Sequence, residues 1–209
     1  MKIGIFGGSF DPIHTGHIAA AKAAREAAGL SAIFFVPAFV SPLKIGQMNA
    51  GGSHRLSMIR LAIAEEPNFQ FSDYELRRPG GASFTIDTIN YFVKKNPKDS
   101  FSFIMGADSL ATFPRWKSVY EILRLCEIIV IARPGNEIGE MMPGGKFTII
   151  RDFTHPASST EIRRRFAAGE SVGPELIHPE VEDFVKTRRL YGSSRNSEAQ
   201  EVQNLLQTN

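Results

Sequence analysis

The sequence of 209 residues lacks the features that hold a protein outside the cytoplasm or in a membrane. It has one cysteine, Cys126, which cannot form an internal disulfide, so we expect a reducing compartment. Its longest uncharged apolar stretch, 31–43, contains Pro37 and Pro42 and is too short to span a bilayer. The first residues lack the layout of a signal peptide. We therefore expect a cytoplasmic protein without a membrane partner.

An excess of charge of one sign is also missing. Lys and Arg number 24 against 22 Asp and Glu, and the hydrophobic and charged fractions of 43% and 22% are typical of globular chains, which excludes a disordered or collagen-like protein. A nucleic-acid role would rest on the basic clusters Arg77–Arg78, Arg163–Arg165 and Arg188–Arg189. Since no aromatic residues interleave with these clusters, we expect no nucleic-acid partner.

Short apolar runs alternate with helix-like segments along most of the chain. Runs of this kind are typical of strands covered on both faces, and their alternation with helices predicts an α/β fold with a doubly wound parallel sheet. We predict one domain over 1–191 with a small helical portion at its C-terminal end, followed by a polar tail over 192–209. The predicted strands are Lys2–Phe6, Ala32–Val36, Phe69–Ser72, Phe101–Met105, Glu127–Ala132 and Lys146–Ile150. The predicted helices are Gly16–Ala28, Ser53–Glu65, Thr85–Lys95, Trp116–Leu125, Ser158–Ala168 and Pro179–Arg188.

The loop after the first predicted strand, 7–17 with the sequence GGSFDPIHTGH, is the strongest signal of a ligand site. Glycines let the backbone approach a ligand, and the start of the following helix offers N–H groups to an anion. The loop matches neither the dinucleotide fingerprint nor the P-loop. His14 and His17, three apart, can face the same side and donate to phosphate. The alternatives are a tight turn with two surface histidines and, more weakly, a zinc site.

A second phosphate-binding signal lies near the end of the predicted domain. Ser158 and Glu161 have the spacing of a capping box, which predicts a helix whose first N–H groups, at Ser159 and Thr160, point outward. Arg163, Arg164 and Arg165 follow closely in the sequence. A helix N-terminus beside a guanidinium suits a polyphosphate. Alone this signal is weak, because capping boxes are common and arginine clusters usually face solvent.

Together the segments GSFDPIHTGH (8–17) and SSTEIR (158–163) resemble the nucleotidylyltransferase superfamily that carries the HxGH signature. Further segments narrow the resemblance, over roughly 1–191, to bacterial nicotinate-nucleotide adenylyltransferases. They are Val36–Pro37, Pro42–Lys44, Ser83–Thr88, Gly106–Leu110, Phe113, Trp116–Lys117 and Arg133–Gly135. Two positions depart from the family pattern: Phe84 stands where the family often has Tyr, and Leu43 where it has a His.

The resemblance implies a Rossmann-like nucleotidylyltransferase fold and a reaction in NAD biosynthesis. The phosphate of nicotinate mononucleotide attacks the α-phosphorus of ATP directly and yields nicotinate adenine dinucleotide and pyrophosphate. Because the substrate itself is the nucleophile, catalysis is positioning and neutralisation of charge. Mg²⁺ is expected on the ATP phosphates, held mainly by substrate oxygens and water, and we predict no protein metal ligand. The sequence leaves the oligomeric state open.

The resemblance also assigns roles to individual residues. The predicted catalytic residues are His14, His17, Lys44 and Arg163. The predicted ATP-binding residues are Gly8, Ser9, His17, Gly106, Asp108, Arg133, Ser159, Thr160 and Arg163. The predicted residues for the mononucleotide are Phe10, Lys44, Phe84, Thr85 and Trp116.

Several of these roles have simpler alternatives. Lys44 is expected at a substrate phosphate, but an exposed loop lysine fits the sequence equally well. Asp108 is expected at a ribose hydroxyl, but it can also be a helix cap. Trp116 is expected to stack on the pyridine ring, although a single Trp is more often a core residue.

Other functions compatible with the same motifs are an adenylyltransferase for nicotinamide mononucleotide or phosphopantetheine, and a nucleotide sensor without catalytic activity. Ser83–Thr88 and the segment 106–116 resemble the pyridine-nucleotide branch, which disfavours phosphopantetheine. The presence of His14, His17 and Arg163 together disfavours a sensor.

Overall fold

The computed structural model describes residues 1–39, 49–78, 83–135 and 138–192, and these form a parallel six-stranded sheet covered by helices on both faces. Its strand order is β3-β2-β1-β4-β5-β6. The strands are β1 (Lys2–Gly8), β2 (Ala32–Pro37), β3 (Phe69–Phe71), β4 (Ser100–Gly106), β5 (Cys126–Ile131) and β6 (Phe147–Ile150). The helices are α1 (Thr15–Ala28), α2 (Gly52–Ala62), α3 (Thr85–Lys95), α4 (Ala107–Leu110), α5 (Val119–Leu125), α6 (Ser159–Ala167) and α7 (Pro179–Thr187), with short 3₁₀ turns at Phe113–Arg115 and Leu190–Gly192.

The topology places a ligand crevice beside β1. The chain winds from β1 outward to β3, crosses back, and continues from β4 to β6 on the other side of β1. Strand order therefore reverses between β1 and β4, which pair in register with Ile5 opposite Phe103. Sheets of this type bind ligands beyond the carboxyl ends of the strands at such a reversal. The loop after β1 and the start of α4 lie at that point.

Each face of the sheet has its own hydrophobic core. Phe35 and Ile104 pack with α1, α2, α6 and α7 on one face, and Ile5 and Phe103 pack with α3 and α5 on the other. Burial on both faces explains why the strands read as continuous apolar runs, and it confirms the predicted doubly wound fold. Among the described helices, none combines the length and apolarity that a membrane crossing requires.

Two predicted helix boundaries are wrong. The helix predicted from Trp116 begins only at Val119, because Ser118 adopts a left-handed backbone conformation with φ of 54° and separates α5 from the preceding 3₁₀ turn. The helix predicted to reach Glu65 ends at Ala62. Of the predicted tail 192–209, only Gly192 falls within the described residues.

Candidate active site

A cavity of about 480 Å³ opens at the carboxyl ends of the central strands. Its walls are the loop after β1, the start of α4, the residues after β5 and the segment leading into α6. The fold therefore brings together segments that are more than 140 residues apart. The predicted site residues that line the cavity are Ser9, His14, His17, Gly106, Asp108, Arg133, Ser159, Thr160 and Arg163.

His14 and His17 stack at the N-terminus of α1, with ring centroids 3.8 Å apart and an interplanar angle of 30°. The backbone N–H of His14 donates to Nδ1 of His17 at 3.2 Å. A neutral imidazole whose Nδ1 accepts a hydrogen bond carries its proton on Nε2. His17 is thereby fixed as a donor through Nε2–H, on a ring that lines the cavity.

His14 is the more buried of the two rings, with 6% of its surface exposed. Burial lowers the pKa of His14 to about 2, and electrostatic interactions with His17, His155 and Arg133 add to this shift. His14 is consequently neutral at physiological pH. Its buried Nδ1 has no hydrogen-bond partner within the described part of the chain.

His155, which sequence reasoning missed, is a third imidazole in the cavity wall. Its Nδ1 accepts a hydrogen bond from the Ala157 N–H at 3.2 Å, and burial lowers its pKa. By the same tautomer argument, neutral His155 offers Nε2–H as a donor. The only signal in the sequence was its place three residues before the SST segment.

Gly16 explains how these imidazoles fit around the start of α1. A Cβ atom added there would lie 3.0 Å from Nδ1 of His14 and 3.1 Å from Nδ1 of His155. Both distances are shorter than an ordinary van der Waals contact, so any other residue would push the rings apart. The glycine between the two histidines of the HxGH signature thus lets His14 and His155 approach the helix closely.

Helix α6 presents its first turn to the cavity, but without the predicted capping box. Ser158 is the N-cap residue, yet its side chain makes no capping hydrogen bond. Glu161 does not reach back to the cap, because it pairs with Arg164 at 2.9 Å and Arg165 at 3.1 Å. Ser159 Oγ instead donates to the carbonyl of Pro12 at 3.0 Å, which joins α6 to the loop after β1.

Arg163 lies at the same junction. Its Nη1 donates to the backbone carbonyl of Asp11 at 2.7 Å, and its Nη2 approaches Thr160 Oγ1 at 3.4 Å. These bonds hold the guanidinium beside the cavity, where a planar fork of donors suits phosphate oxygens. Arg164, in contrast, faces solvent and pairs with Glu161 and Glu170.

Asp108 and Arg133 form the side of the cavity that adjoins β4 and β5. Gly106, not Asp108, is the N-cap residue of α4, so the helix-cap alternative for Asp108 is wrong. Asp108 is exposed in the first turn of that helix, with its carboxylate available to a ligand. Arg133 is exposed two residues after the end of β5.

Three of the residues predicted for the mononucleotide, Phe84, Thr85 and Trp116, do not line this cavity, and Phe84 and Trp116 pack on the face of the sheet that carries α3 and α5. Phe84 is the N-cap of α3, has extended backbone and makes no side-chain cap, and Thr85 is the first helical residue. Trp116 packs edge-on against Phe103 and Phe113, and its Nε1 donates to Thr112 Oγ1 at 3.3 Å. The half-buried indole therefore has both core contacts and an accessible part.

The structure gives a different environment for Phe10 and Gly8 than predicted, and it does not describe Lys44. The ring of Phe10 is only 1% exposed and packs against Phe6, Phe35 and His17, so its side chain supports His17 from the core. Gly8 does not line the cavity; a Cβ there would lie 3.0 Å from the Phe10 ring. Lys44 lies outside the described residues.

Buried polar residues behind the loop were also missed. Arg55 is fully buried and donates to the carbonyls of Ser9 and Ala38 at 2.8 Å and of Ala50 at 3.1 Å. Nothing distinguished it from other polar residues of a predicted amphipathic helix. Its three backbone partners come from separate loops, so its role is to hold the loop after β1 in place.

Neither a metal centre nor a nucleophilic thiol is evident in the parts of the chain that the structure describes. No group of three His, Cys, Asp or Glu side chains there is arranged to hold a metal ion. Cys126 is buried in β5, and burial raises the pKa of its thiol to about 12. A thiol with so high a pKa is not a nucleophile at neutral pH.

Comparison with known proteins agrees with this geometry. The model of the cytidylyltransferase-like family matches residues 5–165. A nicotinate-nucleotide adenylyltransferase of Bacillus subtilis (strain 168) is 36% identical over 192 residues, covering 92% of this chain and 99% of that protein. A probable nicotinate-nucleotide adenylyltransferase of Roseiflexus sp. (strain RS-1) is 41% identical over 177 residues, covering 81% of this chain and 88% of that protein.

A solved structure shows the same fold. It is the Plasmodium falciparum nicotinic acid mononucleotide adenylyltransferase complexed with NaAD, which superposes with a TM-score of 0.75 at 22% identity and covers 91% of this chain and 97% of that chain. Since the bacterial relatives exceed 30% identity over most of both chains, the chain belongs to the nicotinate-nucleotide adenylyltransferase family.

Proposed function

We propose that the protein transfers the adenylyl group of ATP to nicotinate mononucleotide and releases pyrophosphate, as a step of NAD biosynthesis in the cytoplasm. The observation that carries this proposal is the set of donors around one cavity: the Nε2–H of His17, the guanidinium of Arg163 and the first turn of α6. Such a set suits a chain of phosphates. Family membership supplies the reaction and the acceptor.

In the reaction, an oxygen of the mononucleotide phosphate forms a bond to the α-phosphorus of ATP. The bond from that phosphorus to the bridging oxygen of the β-phosphate breaks, and pyrophosphate leaves with its electron pair. No protein nucleophile takes part, which agrees with the buried, protonated thiol of Cys126. The protein has to align the two phosphates and stabilise charge on the leaving group.

The donors around the cavity have different roles in the transfer. His17, fixed as an Nε2–H donor, stabilises charge that develops during transfer. His14, neutral and stacked against it, keeps the His17 ring in its orientation and adds a second imidazole. Arg163 and the N–H groups at Ser159 and Thr160 bind the outer phosphates, and Ser9 contributes from the loop after β1.

We assign the adenosine of ATP and the nicotinate ring of the mononucleotide to the remaining parts of the site. Asp108 accepts from ribose hydroxyls, and Arg133 lies on the adenine side. The N–H groups at the start of α3, at Phe84 and Thr85, receive the nicotinate carboxylate, and Trp116 covers the pyridine ring. Lys44 remains proposed as a charge near a substrate phosphate.

We propose that Mg²⁺ binds together with ATP. The donor set fits an ion held mainly by substrate: Asp108 is an exposed carboxylate in the cavity wall, whereas the carboxylate of Asp11 is already taken up by protein donors. Bound to the phosphates, the ion neutralises their charge, and most of its remaining ligands would be water. The protein then orients the complex through Arg163 and the start of α6.

A pyrophosphate-release assay with ATP and a panel of acceptors tests the proposal. Nicotinate mononucleotide is expected to be the preferred acceptor, with nicotinamide mononucleotide second and phosphopantetheine inactive. Preference for phosphopantetheine would move the protein to another branch of the superfamily. Binding of ATP without release of pyrophosphate with any acceptor would identify a nucleotide sensor.

A further inference from the structure

The last residues that the structure describes fold back onto the phosphate-binding loop. The hydroxyl of Tyr191 donates to Oδ1 of Asp11 at 2.6 Å, across 180 residues of sequence. Tyr191 has a left-handed backbone conformation, with φ of 60°. Its ring lies parallel to that of Phe166 in α6, with centroids 6.2 Å apart. A left-handed bulky residue is unusual, and it persists only where the surrounding contacts hold it.

Asp11 connects this tyrosine to the cavity. Its side chain is 3% exposed and also accepts hydrogen bonds from the backbone N–H groups of Asn49 at 2.7 Å and Ala50 at 3.1 Å. Its backbone carbonyl accepts from Nη1 of Arg163 at 2.7 Å. Asp11 therefore contacts Tyr191 through its carboxylate and Arg163 through its backbone carbonyl.

The surroundings keep the Tyr191 hydroxyl a donor. Burial raises the pKa of Tyr191, and the adjacent carboxylate of Asp11 raises it further, against the smaller opposite effects of Arg163 and Arg55. Arg55 lies near this pair and holds Ser9 and Ala38 by their carbonyls. Removal of the hydroxyl would leave Oδ1 of Asp11 with one donor among the described residues, the N–H of Ala50.

We propose that Tyr191 is a positioning residue for ATP: its hydroxyl fixes Asp11, and Asp11 fixes the guanidinium of Arg163 against the phosphates. The inference rests on the proposed function for the role of Arg163, and adds that the C-terminal end of the domain sets the geometry of the phosphate site. Tyr191 itself does not line the cavity, so it acts through Asp11.

The variant Tyr191→Phe tests this, because it keeps the ring against Phe166 and removes only the hydroxyl. We expect KM and Kd for ATP to rise on the order of tenfold, as for the loss of one hydrogen bond to a charged acceptor, with KM for the mononucleotide little changed. Tyr120→Phe is the matched control, since the side chain of Tyr120 is exposed on α5 and the residue is 70% accessible. It should leave every kinetic constant unchanged.

A merely structural tyrosine would lower the melting temperature but leave ATP binding unchanged well below that temperature, and this result would overturn the inference. Asp11→Asn weakens the same bond from its acceptor side and should show the same selective loss for ATP. ATP binding is measured by calorimetry as well as by turnover. A wild-type protein that releases no pyrophosphate would refute the proposed function, while the binding comparison would still decide the role of Tyr191.

Discussion

The hydrogen bond from the backbone N–H of His14 to Nδ1 of His17 fixes the tautomer of an imidazole that lines the cavity. Position and tautomer are thereby set before substrate binds, and such preorganised donors are effective in stabilising developing charge. His17 is partly exposed to the cavity, while its inner face contacts the ring of Phe10. Its contribution is therefore expected to be larger for catalysis than for folding.

His17→Ala is predicted to lower kcat by roughly 10²–10⁴, the range for a lost acid–base or oxyanion contact. It should cost only about 1–2 kcal/mol of stability, because one hydrogen bond and part of an aromatic contact disappear. Single-turnover kinetics and a thermal melt measure the two effects separately. Normal turnover with an unchanged melting curve would show that His17 has no part in the reaction.

Arg163→Lys is predicted to weaken ATP binding about tenfold, because an ammonium cannot bridge two phosphate oxygens as a guanidinium does. The affinity for the mononucleotide should change less. Arg164→Lys is the matched control: it alters the neighbouring arginine, which pairs with Glu161 and Glu170 in solvent. Equal ATP saturation curves for both variants would assign Arg163 a purely structural role.

His155→Ala is predicted to lower kcat/KM for ATP by about tenfold, the loss expected for one hydrogen bond to a charged oxygen. The Nε2–H donor of His155 would be removed, and the N–H of Ala157, a residue of the cavity wall, would lose its acceptor. His54→Ala serves for comparison, since that imidazole packs against Phe184 away from the cavity. If both variants had the same kcat/KM for ATP, a phosphate contact by His155 would be excluded.

The four inner strands were predictable because most of their side chains are buried on both faces, which leaves an apolar run in the sequence. The boundaries of α5 were not, because the left-handed Ser118 is a local backbone choice with no strong sequence marker. The capping box failed for a different reason. Glu161 has two arginines within one helical turn, and their charges outcompete the N-cap backbone.

In the candidate site, too, some contacts were predictable from the sequence and others were not. Contacts within a motif, such as the pairing of His14 with His17, follow from helix spacing. Contacts between distant segments depend on the completed fold. The bonds of Arg163 to Asp11 and of Tyr191 to Asp11 span 152 and 180 residues, so no local pattern announces them. His155 belongs to the same class, since it reaches the cavity only after α6 has docked against the loop.

Preference for the acid over the amide form of the mononucleotide is the last prediction. Helix α3 begins at Thr85, and the side chain of its N-cap residue, Phe84, makes no capping bond, so the first N–H groups suit a carboxylate. The ammonium of Lys117 lies 4.6 Å from the centre of the Phe84 ring and 3.8 Å from the carboxylate of Asp87, whose negative charge in the first turn of the helix it offsets. A contact through backbone N–H also explains why Phe serves at a position where the family often has Tyr.

An amide can accept from the same N–H groups, but it lacks the charge, and its NH₂ group would face donors. Hydrogen bonds to charged groups exceed neutral ones by about 1–2 kcal/mol, so two such bonds predict a preference of roughly tenfold to a thousandfold for the acid. The ratio of kcat/KM for nicotinate and nicotinamide mononucleotides measures it. Lys117→Gln should reduce that ratio while leaving KM for ATP unchanged, because Lys117 does not line the cavity that holds His17 and Arg163. A ratio near one in the unmodified protein would remove the carboxylate site and make a dual-specificity enzyme the better description.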